Sequence, residues 1–265
     1  ARRDGGARRD GPRGLGGEQV EGRQAVKELL SAGNRRVREV WMVQDLEPSA
    51  QLDEIERIAS RRRVKVVPVG RRRLDAMART DSPQGVLALA SPLETTPLEK
   101  LCDEKRGAPP FLLVLDGVSD PQNLGALMRS AECAGVSGLV LPRHRAARVS
   151  PAVAKVAAGA IEHLAVAVVA GVPNALRQLA TKDILSVGLD AGAELSLFEL
   201  GSELQGPVAL VVGAEGRGLA PLTRRRCDLL ASIPRSGEIE SLNVAAAGAV
   251  ACFEVLRRRT GRHAG

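Results

Sequence analysis

The second half of the chain alternates short apolar segments with segments of helical spacing. Continuous apolar runs predict strands that are buried on both faces, and the segments between them predict amphipathic helices. This alternation indicates an α/β fold in which helices cover both sides of a parallel sheet. We predict strands at 111–115, 138–141, 164–169, 184–189, 208–212 and 229–233, and helices at 122–134, 151–160, 174–181, 220–226 and 243–258.

A parallel sheet of this kind holds its ligands at the carboxyl ends of its strands. That rule selects three polar loops, at 116–123, 213–219 and 234–243, each of which follows a predicted strand. Each loop also leads into a predicted helix, where backbone N–H groups are free to meet a ligand. We therefore expect these loops to form the functional site.

The front of the chain has a different character. Residues 1–17 repeat ARRDGG as ARRDGP and hold five Arg against two Asp, which predicts a disordered basic tail. Residues 18–90 predict a small α/β domain, and the Pro-rich, charged segment 91–109 predicts a linker to a second domain at 110–265. Within the small domain we predict helices at 22–30, 52–60 and 74–78, and strands at 37–43, 64–69 and 86–90.

Composition narrows the class of function. A net charge of +7 and a pI near 9.8 suit a polyanionic partner such as RNA. Aromatic residues make up only 2% of the chain and Tyr is absent, which argues against an aromatic platform for base stacking. Two arginine runs, Arg61 to Arg63 and Arg71 to Arg73, flank one predicted strand and indicate either a solvated face or an RNA-facing surface.

Cysteine and histidine usage argues against a metal site. The cysteines are scattered and form no CxxC or Cys/His cluster, which favours reduced thiols in the cytoplasm over zinc or a disulfide framework. The histidines have no partner pattern, and we expect them to be structural or on the surface. No apolar run approaches the roughly 20 residues that cross a bilayer, so we expect no membrane partner. The cysteines are Cys102, Cys133, Cys227 and Cys252, and the histidines are His144, His163 and His263.

The first loop predicts a capped helix. Asp120 is a good N-cap, and Pro121 suits the first helical position. Asn123 and Arg129 are six residues apart, so a single helix does not place them on one face. They could converge across a dimer interface, although the segment alone also fits a capped helix with one solvated Arg.

The second loop, VGAEGRGL, allows tight turns and close backbone approach because it contains three glycines. Its order is GxxGxG rather than the GxGxxG of dinucleotide-binding proteins, which disfavours a nucleotide-dependent oxidoreductase. Glu215 is unusual among these glycines for a simple turn.

The third loop leads into a helix of very small residues, in the segment IPRSGEIESLNVAAAGAVACF. Ser241 is the natural N-cap in this segment. Asn243, placed one turn into the helix, lowers helix propensity and therefore suggests a second role. The Ala-rich helix allows another backbone to pack closely, and a partner subunit is the candidate.

Taken together, three segments resemble the SpoU/TrmH branch of the SPOUT RNA methyltransferases in order and spacing. They are DGVSDPQNLGALMRSAECAG, VALVVGAEGRGL and SIPRSGEIESLNVAAAGA. The segments KVAAGAIEHL and EGRQAVKELL to PQGVLALA extend the resemblance to about residues 18–258, and the latter resembles the small substrate-binding domain of that family.

The resemblance implies an S-adenosyl-L-methionine-dependent 2′-O-methyltransferase that acts as a homodimer on RNA, with a guanosine of 23S rRNA as the target. It implies that residues 18–90 bind substrate RNA, and that residues 110–265 form a parallel-sheet SPOUT catalytic domain with a trefoil knot. No metal is required. The alternatives left open are a tRNA target, a drug-resistance site in rRNA, or a noncatalytic RNA-binding or ribosome-assembly protein.

The resemblance also assigns residues. Arg129 is expected to clamp a phosphate and orient the ribose hydroxyl, because Arg is almost never deprotonated in proteins. Asn123 is expected to fix Arg129. Arg235 stands where the family usually has Met. The implied catalytic positions are Arg129, Asn123, Glu215, Ser241 and Asn243, and the implied cofactor-binding positions are Gly213, Ile233, Leu242, Gly216 and Gly218.

Overall fold

The structure, a computed structural model, describes residues 15–105, 107–144, 149–238 and 241–261. It contains a four-stranded sheet in the front part of the chain and a six-stranded sheet in the rear part. Most of the predicted basic tail lies outside the described residues. Its last residues are ordered, since Leu15 is buried in the rear core and Gly16 pairs with Val149.

The front unit is a sheet with two long helices on one face. Its strands are β1 (Gln19–Glu21), β2 (Val37–Val43), β3 (Lys65–Val69) and β4 (Val86–Ala90), and its helices are α1 (Arg23–Ala32), α2 (Ala50–Arg61) and α3 (Arg71–Met77). The strand order is β1-β4-β2-β3, with β2 and β3 parallel and the other pairs antiparallel. The apolar stripes of α1 and α2 cover one face, where Val26, Leu29 and Ile55 are fully buried. The predicted elements are confirmed, and β1 is an additional strand too short to give a pattern.

The first part of the segment predicted as a linker, 91–109, is docked on the rear unit. It contains the short helix α4 (Leu98–Leu101), whose two leucines are buried in the rear core. The backbone N–H of Thr96 also donates to the carbonyl of Val166 at 2.7 Å. Leucines three residues apart suffice to bury one face of a single helical turn, in spite of the Pro and charge content around them.

The rear unit is a parallel sheet covered on both faces. Its neighbouring strands are all parallel, in the order β10-β8-β9-β5-β6-β7. This confirms the predicted α/β class, and apolar clusters lie on both sides of the sheet. The strands are β5 (Phe111–Asp116), β6 (Gly138–Pro142), β7 (Ala165–Val169), β8 (Leu185–Leu189), β9 (Val208–Gly213) and β10 (Leu229–Ala231), and the helices are α5 (Pro121–Cys133), α6 (Pro151–Val156), α7 (Val172–Ala180), α8 (Pro221–Arg224) and α9 (Val244–Thr260).

The sheet register brings the first two polar loops together. β5 and β9 are neighbours, and their last residues, Asp116 and Gly213, are paired. Both loops therefore leave the same edge of the sheet at its centre. The carboxyl ends of β8 and β10 lie on the same edge, since both strands run parallel to β9 through β8.

Some boundaries differ from the prediction. Helix α6 ends at Val156 rather than near residue 160, because Ala158 and Gly159 adopt left-handed φ values of 51° and 82°. A short 3-10 helix, Ala160–Glu162, follows. Among the described residues, no helix combines the length and apolar character needed to cross a membrane.

Candidate functional site

The first turn of α5 positions Asn123 at the carboxyl end of β5. Asp120 caps the helix, and its Oδ1 accepts the backbone N–H of Asn123 at 2.8 Å. Pro121, with its fixed φ, occupies the start of the helix as predicted. The Asn123 side chain is 9% exposed, and a buried amide of this kind needs hydrogen-bond partners.

Those partners come from the two other loops. The Asn123 amide nitrogen donates to Oε2 of Glu215 at 2.8 Å. The Asn243 amide nitrogen donates to Oδ1 of Asn123 at 3.0 Å and to Oε1 of Glu215 at 3.4 Å. We call these three side chains the Asn–Glu–Asn cluster. Residues from all three predicted loops therefore converge at the carboxyl edge of the sheet.

Asn243 also begins α9. Its Oδ1 accepts the backbone N–H groups of Ala245 and Ala246 at 2.9 and 3.3 Å. The prediction that Ser241 caps this helix is wrong, because Asn243 is the N-cap and Ser241 lies outside the helix, exposed. Asn and Ser are equally good caps, so the sequence alone did not distinguish them. The side-chain oxygen of Asn243 therefore caps α9, while its side-chain nitrogen donates to the cluster.

Arg129 is not part of this cluster within one chain. It is exposed on α5, and no hydrogen bond or ion pair joins its guanidinium to another of the described residues. Six residues on a helix turn the side chain about 120° away from Asn123. The expectation that Asn123 fixes Arg129 is therefore not met inside a single chain, where Asn123 binds Glu215 and Asn243 instead.

The glycine loop after β9 closes tightly on itself. Ala214 and Gly218 exchange two backbone hydrogen bonds, of 3.0 and 2.9 Å. A Cβ on Gly213 would lie 2.1 Å from the carbonyl carbon of Gly218, so no side chain fits there. Gly216 and Gly218 have φ values of 72° and 64°, and open space surrounds both Cβ positions. Their exposed backbone is accessible to a ligand.

A cleft of about 350 Å³ opens beyond the ends of β8 and β10. Ile233 lines it and also packs against the rear core. Arg235 Nη2 donates to the carbonyl of Ala191 at 3.2 Å, which ties the third loop to the loop after β8. Leu242, another predicted cofactor residue, is 44% exposed outside the lining. The lining residues are Ala191, Ser232, Ile233, Pro234, Arg235, Gly237 and Glu238.

Sequence reasoning missed the contribution of the loop after β8. Ala191 is the second residue after that strand and lines the cleft, so the carboxyl-end rule would have selected it as well. The neighbouring Asp190 is paired with Arg224. The hydrogen bond from this guanidinium lowers the pKa of the Asp190 carboxyl, which keeps a negative charge beside the cleft. Across the described ranges, no group of three or more His, Cys, Asp and Glu residues could hold a metal.

Comparison with known proteins assigns both units. Residues 110–253 match the model of the SpoU rRNA methylase family, and residues 19–96 match the model of the RNA 2′-O ribose methyltransferase substrate-binding domain. The chain is 37% identical over 248 residues to the 23S rRNA (guanosine-2′-O-)-methyltransferase RlmB of Pseudomonas syringae pv. tomato, covering 92% of this chain and 97% of that protein. It is 39% identical over 247 residues to RlmB of Pseudomonas aeruginosa, with the same coverage.

Solved structures share the fold. The SpoU methyltransferase AviRb of Streptomyces viridochromogenes, solved in complex with AdoMet, superposes with a TM-score of 0.75 at 23% identity, covering 92% of this chain and 90% of that one. The rear family model alone matches more than half of the chain, and the relatives match nearly all of it. This chain belongs to the SpoU rRNA methylase family.

Proposed function

We propose that this protein transfers a methyl group from S-adenosyl-L-methionine to a ribose 2′-hydroxyl of RNA, and that its target is a guanosine of 23S rRNA. The observation that carries the proposal is the Asn–Glu–Asn cluster, which joins three loops at one sheet edge beside an open glycine loop and a cleft. The RlmB relatives, which match the chain across both units, support the rRNA target.

The residues present fit the cofactor. The cleft volume of about 350 Å³ falls within the roughly 300–1,000 Å³ of small-molecule sites. Open space at Gly216 and Gly218 leaves backbone groups free to contact a ligand. We assign cofactor binding to the backbone of Gly213, Ile233 and Leu242 together with these two glycines. When bound, S-adenosyl-L-methionine supplies a methyl group activated by its sulfonium.

The main task of the protein in this reaction is to position the ribose hydroxyl and the RNA phosphate. A ribose 2′-hydroxyl that is to accept a methyl group has to lose its proton. Arg129 is always protonated and is a poor base, so we assign it to clamping a phosphate of the RNA and orienting the hydroxyl. The proton then leaves through that phosphate. Asn123, Glu215, Asn243 and Ser241 shape the site around the hydroxyl, and this alignment lowers the barrier.

We also propose a homodimer. Arg129 is exposed and turned away from the cluster of its own chain, so a second copy is needed to bring the two together. Helix α9 offers a packing face, because Val250 and Phe253 are 37% and 46% exposed and the helix is rich in small residues. Close backbone packing between subunits suits such a helix.

The domain assignment follows from the same proposal. Residues 18–90 bind substrate RNA, residues 91–109 connect the units, and residues 110–265 form the catalytic domain, while the tail at 1–17 adds positive charge. The family matches at 19–96 and 110–253 support this division. The trefoil knot stays a prediction, and so does a cytoplasmic location, which suits an enzyme of ribosomal RNA.

A direct assay tests the function. The protein is incubated with radiolabelled S-adenosyl-L-methionine and total RNA from cells that lack the modification, and labelled nucleotides are mapped. We expect the label on a ribose 2′-oxygen of a 23S rRNA guanosine. Label in tRNA would overturn the rRNA target, label on a base would overturn the 2′-O assignment, and absence of label in any RNA would favour a noncatalytic RNA-binding protein.

A further inference from the structure

Arg35, between α1 and β2, has a buried guanidinium with four hydrogen bonds. Its Nε and Nη2 donate to the two carboxylate oxygens of Glu162 at 2.9 and 2.5 Å. Its Nη1 donates to the carbonyls of Gly17 and Ser91 at 2.8 and 2.7 Å. The Arg35 and Glu162 side chains are only 4% and 2% exposed.

The partners of Arg35 come from both ends of the front unit and from the rear unit. Gly17 lies where the chain enters the front unit, Ser91 lies where it leaves after β4, and Glu162 belongs to the rear unit. A buried charge is tolerated only when it is paired and hydrogen-bonded. The planar fork of Arg meets a carboxylate through two parallel bonds, which fixes orientation as well as distance.

Further contacts surround this pair. Asn34 Nδ2 donates to the Glu162 carbonyl at 2.8 Å, and His163 meets Glu28 of α1 at 2.9 Å. α1 also approaches Gly159 so closely that a Cβ there would lie 2.5 Å from the Glu28 Cβ. At this point the front unit therefore packs directly against the rear unit.

The contact between Arg35 and Glu162 is connected to α5, the helix that carries Asn123, through α6. Glu162 ends the short 3-10 helix that follows α6, and α6 packs against α5 at Gly125. A Cβ at Gly125 would lie 2.7 Å from the Cβ of Val156 and 2.9 Å from the carbonyl oxygen of Val153. α5 in turn carries Asn123 and Arg129. A continuous packed layer thus connects Arg35 to α5.

We propose that Arg35 is a positioning residue that, through Glu162, locks the RNA-binding front unit in one orientation on the catalytic unit. RNA held by the front unit is then presented to the Asn–Glu–Asn cluster at a set distance and angle. Domains within a chain move relative to each other unless their interface prevents it, and a mobile front unit has to be ordered when RNA binds, which weakens RNA binding. This inference rests on the proposed RNA methyltransferase function.

The test removes the lock without leaving an unpaired charge. The double variant Arg35→Met/Glu162→Met deletes both partners. The control Lys182→Met/Asp183→Asn removes one positive and one negative charge from exposed residues of the rear unit, just after α7. Small-angle X-ray scattering of the full chain measures domain docking, and steady-state kinetics use a 23S rRNA fragment. We expect a larger radius of gyration and an increase of about tenfold in KM for RNA, with little change in kcat. Calorimetric affinity for S-adenosyl-L-methionine stays within about twofold because the cofactor needs only the rear unit.

Arg35→Lys keeps the positive charge but loses the planar guanidinium that bonds both carboxylate oxygens. It is the test variant if the double variant does not fold. We expect it to raise the KM for RNA in the same direction. The proposal is overturned if the scattering profile and the KM of the lock variants match those of the Lys182 control. If the unmodified protein methylates no RNA, the proposed function fails, while the scattering comparison still decides whether Arg35 holds the two units together.

Discussion

Asn243 and Asn123 lie 120 residues apart in the chain, and the amide nitrogen of Asn243 donates to the side-chain oxygen of Asn123 at 3.0 Å. Since Asn243 also caps α9, the starts of α9 and α5 are joined directly. Glu215 completes the contact from the glycine loop. A substitution at Asn243 therefore alters a helix end and the candidate site together, and the two effects have to be separated.

Two variants of Asn243 separate them. Asn243→Ala removes the cap and lowers the free energy of unfolding by about 0.5–2 kcal/mol, whereas Asn243→Ser retains a capping oxygen and most of the stability. Neither variant can donate an amide proton to Asn123, so both lose methyl transfer. Denaturant unfolding and the RNA assay measure the two effects. Full activity of Asn243→Ser would show that Asn243 acts only as a cap.

Glu215→Gln tests the charged acceptor of the cluster. The Glu215 carboxylate accepts from both Asn amides, and a hydrogen bond to a charged group contributes about 1.5–3 kcal/mol. We expect the rate of methyl transfer to fall about 10- to 100-fold, since about 1.4 kcal/mol corresponds to one factor of ten. Glu56→Gln, on the exposed side of α2, is the matched control. Equal rates for the two variants would remove Glu215 from the site.

Arg129→Ala should abolish methyl transfer while leaving the affinity for S-adenosyl-L-methionine nearly unchanged. The reason is that Arg129 lies outside the cofactor cleft and is assigned to the RNA phosphate. Calorimetry and the RNA assay measure the two quantities, with Arg177→Ala on the exposed face of α7 as the control. If cofactor affinity collapses together with activity, the phosphate role is wrong.

The glycine loop offers a steric comparison. Gly213→Ala places a Cβ 2.1 Å from backbone, so the loop has to move and cofactor affinity should be lost. Gly216→Ala meets open space and costs only the left-handed φ, about 1–2 kcal/mol. Thermal unfolding and calorimetric titration with S-adenosyl-L-methionine distinguish the two. Similar behaviour of both variants would contradict the tight closure at Gly213.

The pKa values of two thiols, one half-buried and one buried, predict that stability depends on pH. Burial raises the pKa of Cys227 and of Cys252 from 9.0 to about 12. The unfolded chain releases these protons near pH 9 while the folded chain retains them, so stability should fall as the pH rises from 9 towards 12. Unfolding measured from pH 9 to pH 12 tests this loss of stability, and Cys252→Ala should reduce it.

Near neutral pH, iodoacetamide should label the exposed Cys133 first.

Much of the fold was predictable from local patterns. The strands β2 and β4 were predicted to the residue, because a short, mostly apolar segment bounded by polar residues or glycine needs no distant information. The same holds for Asp120 as the cap of α5. The ordering of Leu15 and the docking of α4 were not predictable, since each depends on a core built by residues far along the chain.

The candidate site also combines features that local sequence patterns predict with features that depend on tertiary packing. The sequence predicted the three loops, their place at the carboxyl ends of parallel strands and the family motifs that they carry, because residue type and the alternation of strands and helices along the chain are local properties. Tertiary packing accounts for three further contacts: Asn243 rather than Ser241 caps α9, Asn123 binds Glu215 rather than Arg129, and Arg35 pairs with Glu162. Each of these is a choice among equally suitable polar partners, and it is settled by which side chains the packed sheet brings within about 3 Å of one another.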